Sequence, residues 1–174
     1  MTLHSAPAAP VGTPSDFDFL IGRWRVEHHR LQTRLAGASD WQVFAGHCEA
    51  RPLLGGFGNV DDNHLELPAG PYRAVSLRSF DPHTRQWSIW WLDGRQPSQL
   101  DVPVRGGFAG DEGLFFAEDR LDGRAIRVRF RWLPRDPGGP LWEQAFSADG
   151  GQSWETNWRM RFLRLDGSDP IDGG

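Results

Sequence analysis

Two stretches near the end of the chain alternate in character at every residue. Ile126, Val128, Phe130 and Trp132 stand against Arg127, Arg129 and Arg131, and Trp154, Thr156, Trp158, Met160 and Phe162 stand against Glu155, Asn157, Arg159 and Arg161. A period of two places successive side chains on opposite faces of a strand, so each stretch predicts a strand with one apolar and one solvated face. Alternation recurs at Trp41–Arg51, and further strands are predicted at Phe57–Leu67, Tyr72–Phe80, Gln86–Leu92, Gln99–Phe108, Leu114–Leu121 and Leu141–Ser147. Together with the strand that starts at Gly22, these make about ten strands at a spacing of roughly 10 to 15 residues, and no amphipathic helix of useful length lies between them. The links have hairpin length and carry turn residues such as Asp81-Pro82, Asp93-Gly94, Asp122-Gly123 and Asp149-Gly150-Gly151. The expected fold is therefore all-β, a single antiparallel up-and-down barrel with a short N-terminal helical cap. A barrel of this strand number is wide enough for a small ligand.

The cap and first strand lie between Ser15 and Arg30. Phe17, Leu20 and Ile21 have the spacing of one helical turn, Gly22 breaks it, and Trp24, Val26 and His28 then alternate with Arg23, Arg25, Glu27 and His29. Trp24 is read as the plug at one end of the barrel. The expected organisation is a disordered tail over 1–14, the barrel domain over 15–166 and a flexible tail over 167–174.

Composition excludes several chemistries. All 19 basic side chains are arginine, so no lysine is present for Schiff-base or P-loop chemistry. The one cysteine, Cys48, allows neither an internal disulfide nor a cysteine zinc site. A net charge of −4 and a pI near 5.8 argue against nucleic acid as a partner. The N-terminal stretch lacks the pattern of a secretory signal, and no apolar run approaches the roughly 20 residues of a membrane span. The expectation is a cytoplasmic protein with no membrane partner and no cofactor. Nine tryptophans and eleven phenylalanines against two methionines make the core aromatic.

The segment Phe19-Leu20-Ile21-Gly22-Arg23-Trp24 resembles the opening signature of the calycin group, the lipocalin-like and fatty-acid-binding-protein-like barrels, whose Gly-x-Trp sits on the first strand. Arg51-Pro52-Leu53-Leu54-Gly55-Gly56-Phe57-Gly58-Asn59-Val60-Asp61, Ser88-Ile89-Trp90-Trp91-Leu92-Asp93 and the ending Ser147–Glu155 extend the likeness to bacterial calycin-like families of unknown function that are related in shape to nitrobindin. The resemblance implies a barrel with a cavity and no particular reaction. Nitrobindin-type barrels bind haem through a histidine late in the chain, whereas no histidine follows His83 here, so haem is not expected.

Candidate site residues follow from strand parity. With Trp24 inward, as the resemblance implies, Val26 and His28 point inward too, and a neutral-range imidazole suits acid/base or ligand-orienting work. His47 and Glu49 share one face of their strand and would join His28 if that face were inner, although Phe44 and Cys48 suit the core equally and leave the parity open. No metal site is expected at these residues, and Asp61, Asp62 and His64 read as a solvated turn. Trp91, Trp142 and Trp158 are wall candidates for a flat apolar or aromatic ligand. Gln144 and Thr156 are polar groups that parity places among them, each in need of a partner, and an inward Arg78 would pair with a ligand carboxylate. Trp87, Ile89 and Trp91 share one face and Trp90 lies on the other, which implies cover from the N-terminal segment or a homodimer partner. Three functions are consistent with these residues: binding of a small apolar or aromatic molecule, a cofactor-free isomerase, cyclase or lyase using a histidine, and a filled barrel acting as an interaction module.

Overall fold

The computed structural model describes residues 11–167; of the tails expected over 1–14 and 167–174, residues 1–10 and 168–174 lie outside the described residues. Ten strands form one closed antiparallel barrel: β1 (Gly22–Leu31), β2 (Trp41–Leu53), β3 (Gly58–Leu65), β4 (Tyr72–Asp81), β5 (Gln86–Asp93), β6 (Val104–Ala109), β7 (Glu112–Leu121), β8 (Arg124–Leu133), β9 (Leu141–Ser147) and β10 (Glu155–Arg164). Each strand pairs with its sequence neighbours and β10 closes onto β1, with Trp24 opposite Arg164 and Arg30 opposite Trp158. The up-and-down barrel expected from the alternation is therefore present. The described residues include no helix long and apolar enough to cross a membrane.

One end of the barrel is sealed. The helical cap is a single 3-10 turn at Asp18–Leu20 that drops Phe17 into the barrel. There Phe17 packs edge-on against Trp87 (4.9 Å between centroids), Phe108 (5.1 Å) and Trp132 (5.9 Å). The plug is thus Phe17, with Trp24 beside it. Gly22 has φ +128°, a conformation closed to L side chains, and this turns the chain from cap to strand. Trp24 Nε1–H donates to the Leu20 carbonyl at 2.7 Å, and the Arg164 guanidinium lies 4.1 Å above the Trp24 ring while donating to the carbonyls of Ile21 and Phe19.

Residues 12 and 13 already pack on the barrel. Gly12 N–H donates to the Arg85 carbonyl at 3.0 Å, and the Thr13 carbonyl accepts the Trp87 indole N–H at 3.2 Å. The other end of the barrel is open. β6 starts at Val104, five residues later than the alternation predicts, because Pro103 has no N–H for the ladder. As a result β5 and β6 pair over only three residues, from Trp87↔Gly106 to Ile89↔Val104, and the loop over 94–103 is tied back to β5 by the Leu92↔Leu100 bridge and by Asp101 N–H, which donates to the Trp91 carbonyl at 2.9 Å.

The sealed end belongs to the single apolar core cluster of the barrel. Replacing Phe17, which is 1% exposed, with alanine is expected to cost about 3–5 kcal/mol in urea unfolding, the range for a truncated core phenylalanine.

Candidate ligand-binding site

Above the sealed end a cavity of about 240 Å³ opens toward the loops. Its walls are Ile89 and Trp91 of β5, Val128 and Phe130 of β8, Trp142 and Phe146 of β9 and Trp158 of β10. The rings meet edge to face: Trp91 with Trp158 at 5.7 Å, Trp142 with Trp158 at 5.5 Å, and Phe130 with Trp142 at 4.9 Å. Such packing presents flat apolar faces to whatever occupies the space. Gln144 lies among these rings, and its amide donates to Asn157 Oδ1 at 2.9 Å.

The mouth is charged. Arg30 lies over Trp158 at 4.4 Å and donates to the Tyr72 hydroxyl, while Arg34, from the loop after β1, lies over Phe146 at 5.5 Å. That loop is held across the opening by Leu35 N–H, which donates to Glu155 Oε1 at 2.6 Å. Among the described residues neither Arg30 nor Arg34 forms a direct ion pair with a carboxylate, whereas Asp93 is held by Arg95 at 2.6 Å. Burial and the neighbouring Arg30 push the Arg34 guanidinium down to about 10, so it keeps its charge at neutral pH. Asp101 and Asp119 complete the rim, and burial, with Asp119 and Asp93 close by, raises Asp101 above the ordinary carboxylate range against the opposing pull of Arg34. A shallower groove of about 600 Å³ on the outside of the mouth shares Arg30, Arg34 and Leu121 with the cavity and adds Arg95.

Below the cavity, between it and the sealed end, is a polar core. Arg78 of β4 and Asp61 of β3 form an ion pair at 2.7 Å, both almost fully buried. Asp61 Oδ1 also accepts from the Asn63 amide at 2.6 Å and from Ser76 N–H at 3.1 Å, and Arg78 donates to Asn59 Oδ1 at 2.9 Å. The guanidinium sits over Phe17 at 5.3 Å and Trp132 at 5.6 Å. A chamber of about 20 Å³ adjoins these groups, enough for one water. Ile89, Trp91, Phe130 and Trp142 border both spaces and partition them.

The barrel brings together part of the set named from sequence. Trp91, Trp142, Gln144 and Trp158 line the cavity. Trp24 does not, because it lies at the sealed end. Arg78 is inward, but Asp61 already neutralises it, so it is not placed to meet a ligand carboxylate. Thr156 points outward: a bulge between Thr156 and Trp158 reverses the parity, sets Thr156 opposite the outward Ala145, and buries Asn157 completely. His47 and Glu49 are also outward, since Phe44, Gly46, Cys48 and Ala50 supply the inner face of β2. Asp61 and His64 belong to a strand, with Asp61 inside it. Trp90 is half-buried on the outer face, opposite Leu77.

His28 is inward, yet it does not line the cavity. Its ring stacks on Phe44 at 4.7 Å, and its Nδ1 accepts the Trp158 indole N–H at 3.2 Å. Burial, with Arg30 and His29 nearby, holds the imidazole down to about 3, so it is neutral and serves packing.

The polar core was within reach of sequence pattern, because Asn59, Asp61 and Asn63 alternate along a predicted strand that faces an inward arginine. Arg30 continues the inward parity of β1. Arg34, Asp101 and Asn157 had no such signal, since two sit on irregular loops and the third on a bulge. No protein-family model matches the chain, and no curated protein matches it significantly in sequence.

Two outcomes test this account. Asp61→Asn leaves the Arg78 charge buried without its counter-charge and is expected to destabilise by about 3–5 kcal/mol, while pairing Asp61→Leu with Arg78→Met recovers much of that loss in the same unfolding assay. His28 titrates near 6.5 when unfolded and near 3 when folded, so the unfolded chain takes up the extra proton. Its contribution is complete above about pH 6.5 and falls away toward pH 3, with a slope of up to about 1.4 kcal/mol per pH unit. Urea unfolding from pH 7.5 to pH 5 is expected to show this slope, and His28→Phe to flatten it.

Proposed function

We propose that this protein is a calycin-like barrel that binds a small apolar or aromatic molecule carrying an anionic group, with the apolar part among the tryptophans and the anion at Arg30 and Arg34. The observation that carries this reading is the one-ended cavity with aromatic walls below and, at a mixed-charge rim, two arginines that form no direct ion pair with the neighbouring Asp93, Asp101 and Asp119. Such polarity matches an amphipathic ligand, since apolar burial supplies affinity and a few polar groups fix orientation. A volume of about 240 Å³ lies just below the roughly 300–1,000 Å³ of drug-sized sites, which favours a compact ligand with its head group at the rim. A guanidinium partly removed from water gains more from a bound anion than an exposed one does. The calycin assignment is supported by Gly22 and Trp24 on the first of ten up-and-down strands. The alternative of a histidine acid/base enzyme has less support, because His28 is stacked away from the cavity and His47 lies outside.

Two fluorophores of similar shape separate the parts of this reading: anionic 1-anilinonaphthalene-8-sulfonate and uncharged N-phenyl-1-naphthylamine. Both are expected to bind, with Arg34→Ala weakening the anionic probe about tenfold, or about 1.4 kcal/mol, and the neutral probe less than twofold. Val128→Trp, which fills the cavity, is expected to abolish both signals. Undiminished binding to a folded Val128→Trp variant would place the probes elsewhere and overturn the proposal.

A further inference from the structure

On the outer wall, away from the cavity, β2 and β3 bring together three side chains that the ligand-binding reading does not use. His47 and His64 are directly opposite in the ladder, and Glu66 follows two residues after His64 on the same face. Glu66 N–H donates to the Ala45 carbonyl at 3.0 Å, which makes Ala45 and Glu66 a hydrogen-bonded pair. By the alternation of antiparallel ladders, His47 and His64 are the next such pair, with Cα atoms about 5.5 Å apart. Their rings meet edge to face at 4.8 Å between centroids. Opposite Glu66 stands only the methyl group of Ala45, which leaves the carboxylate free to swing over the imidazoles.

One ligating atom from each of His47, His64 and Glu66 lies within 4.8 Å of the others. Tetrahedral ligands at the usual zinc distances of about 2.0–2.1 Å are separated by roughly 3.3 Å, a gap that rotation of the exposed Glu66 and small imidazole adjustments close. Arg73, opposite His64 on β4, is held by Asp62 at 2.6 Å. Both histidines are half-buried on a rigid sheet, so little ordering is needed to hold them.

We propose that His47, His64 and Glu66 form a binding site for a divalent transition-metal ion. Two imidazoles and one carboxylate suit a borderline ion such as zinc, whereas calcium and magnesium select all-oxygen sets. Three protein ligands leave a coordination position open to water or to a donor from another molecule.

The test is a zinc titration of the untagged full chain against a chromophoric chelator, with cobalt(II) absorption as the spectroscopic readout. The expected result is one ion per chain, an affinity loss of at least tenfold in His47→Ala and in His64→Ala, a smaller loss in Glu66→Gln, and no change in His83→Ala. Far-UV circular dichroism establishes that each variant is folded. Absence of stoichiometric uptake by the native chain at micromolar zinc would overturn the proposal. So would native-like uptake by a folded variant carrying both His47→Ala and His64→Ala.

Discussion

A guanidinium enclosed in a barrel has to be neutralised where it stands, and the rest of this interior is arranged around how Arg78 meets that requirement. Asp61 supplies the charge, and Asn59, Asn63 and Ser76 occupy further hydrogen-bonding positions on the pair. All five come from β3 and β4, so a slip of one residue between those strands would strand the charge as well as expose an apolar face. The pair adds little net stability compared with well-packed apolar groups of equal volume, and its effect is better described as fixing register. It also divides the interior. Below it the rings of Phe17 and Trp132 close the barrel against the Arg78 cation, and above it Phe130 and Trp142 form the floor of the open cavity.

The two ends differ because the chain treats them differently. At the sealed end the segment before β1 folds back, with Gly22 making the turn and Arg164 gripping the carbonyls of the cap. At the open end Pro103 shortens β6, and two loops bring charged groups to the rim. Arg30 and Arg34 therefore stand at the mouth, with apolar walls directly beneath them.

Strand number, topology and most of the walls were legible because period-two alternation and hairpin turns are local signals that a closed barrel preserves. Trp91, Trp142 and Trp158 were readable as wall residues for that reason. Parity fails where local chemistry does not set it. Along β2 both faces carry groups fit for a core, and the choice of Phe44 and Cys48 over His47 and Glu49 is made by neighbouring strands. One extra residue in β10 exchanges Thr156 for Asn157 inside, and no composition cue marks that bulge. His28 was correctly placed inward, but its neutrality depends on Trp158 and Phe44, which are distant in sequence or on another strand. Arg34 and Asp101 reach the mouth through loops whose paths follow from tertiary contacts alone.

A cavity closed at one end also acts as a depth gauge. For a molecule held at the rim by Arg30 and Arg34, each added methylene reaches further down the tryptophan wall and gains about 0.8 kcal/mol while space remains. Once the chain touches Phe130 and Trp142, further growth must displace the partition above the Arg78 pair, and affinity turns downward. On the binding reading proposed above, the depth of that floor, set by a buried salt link out of the ligand's reach, is what limits the length of the molecule.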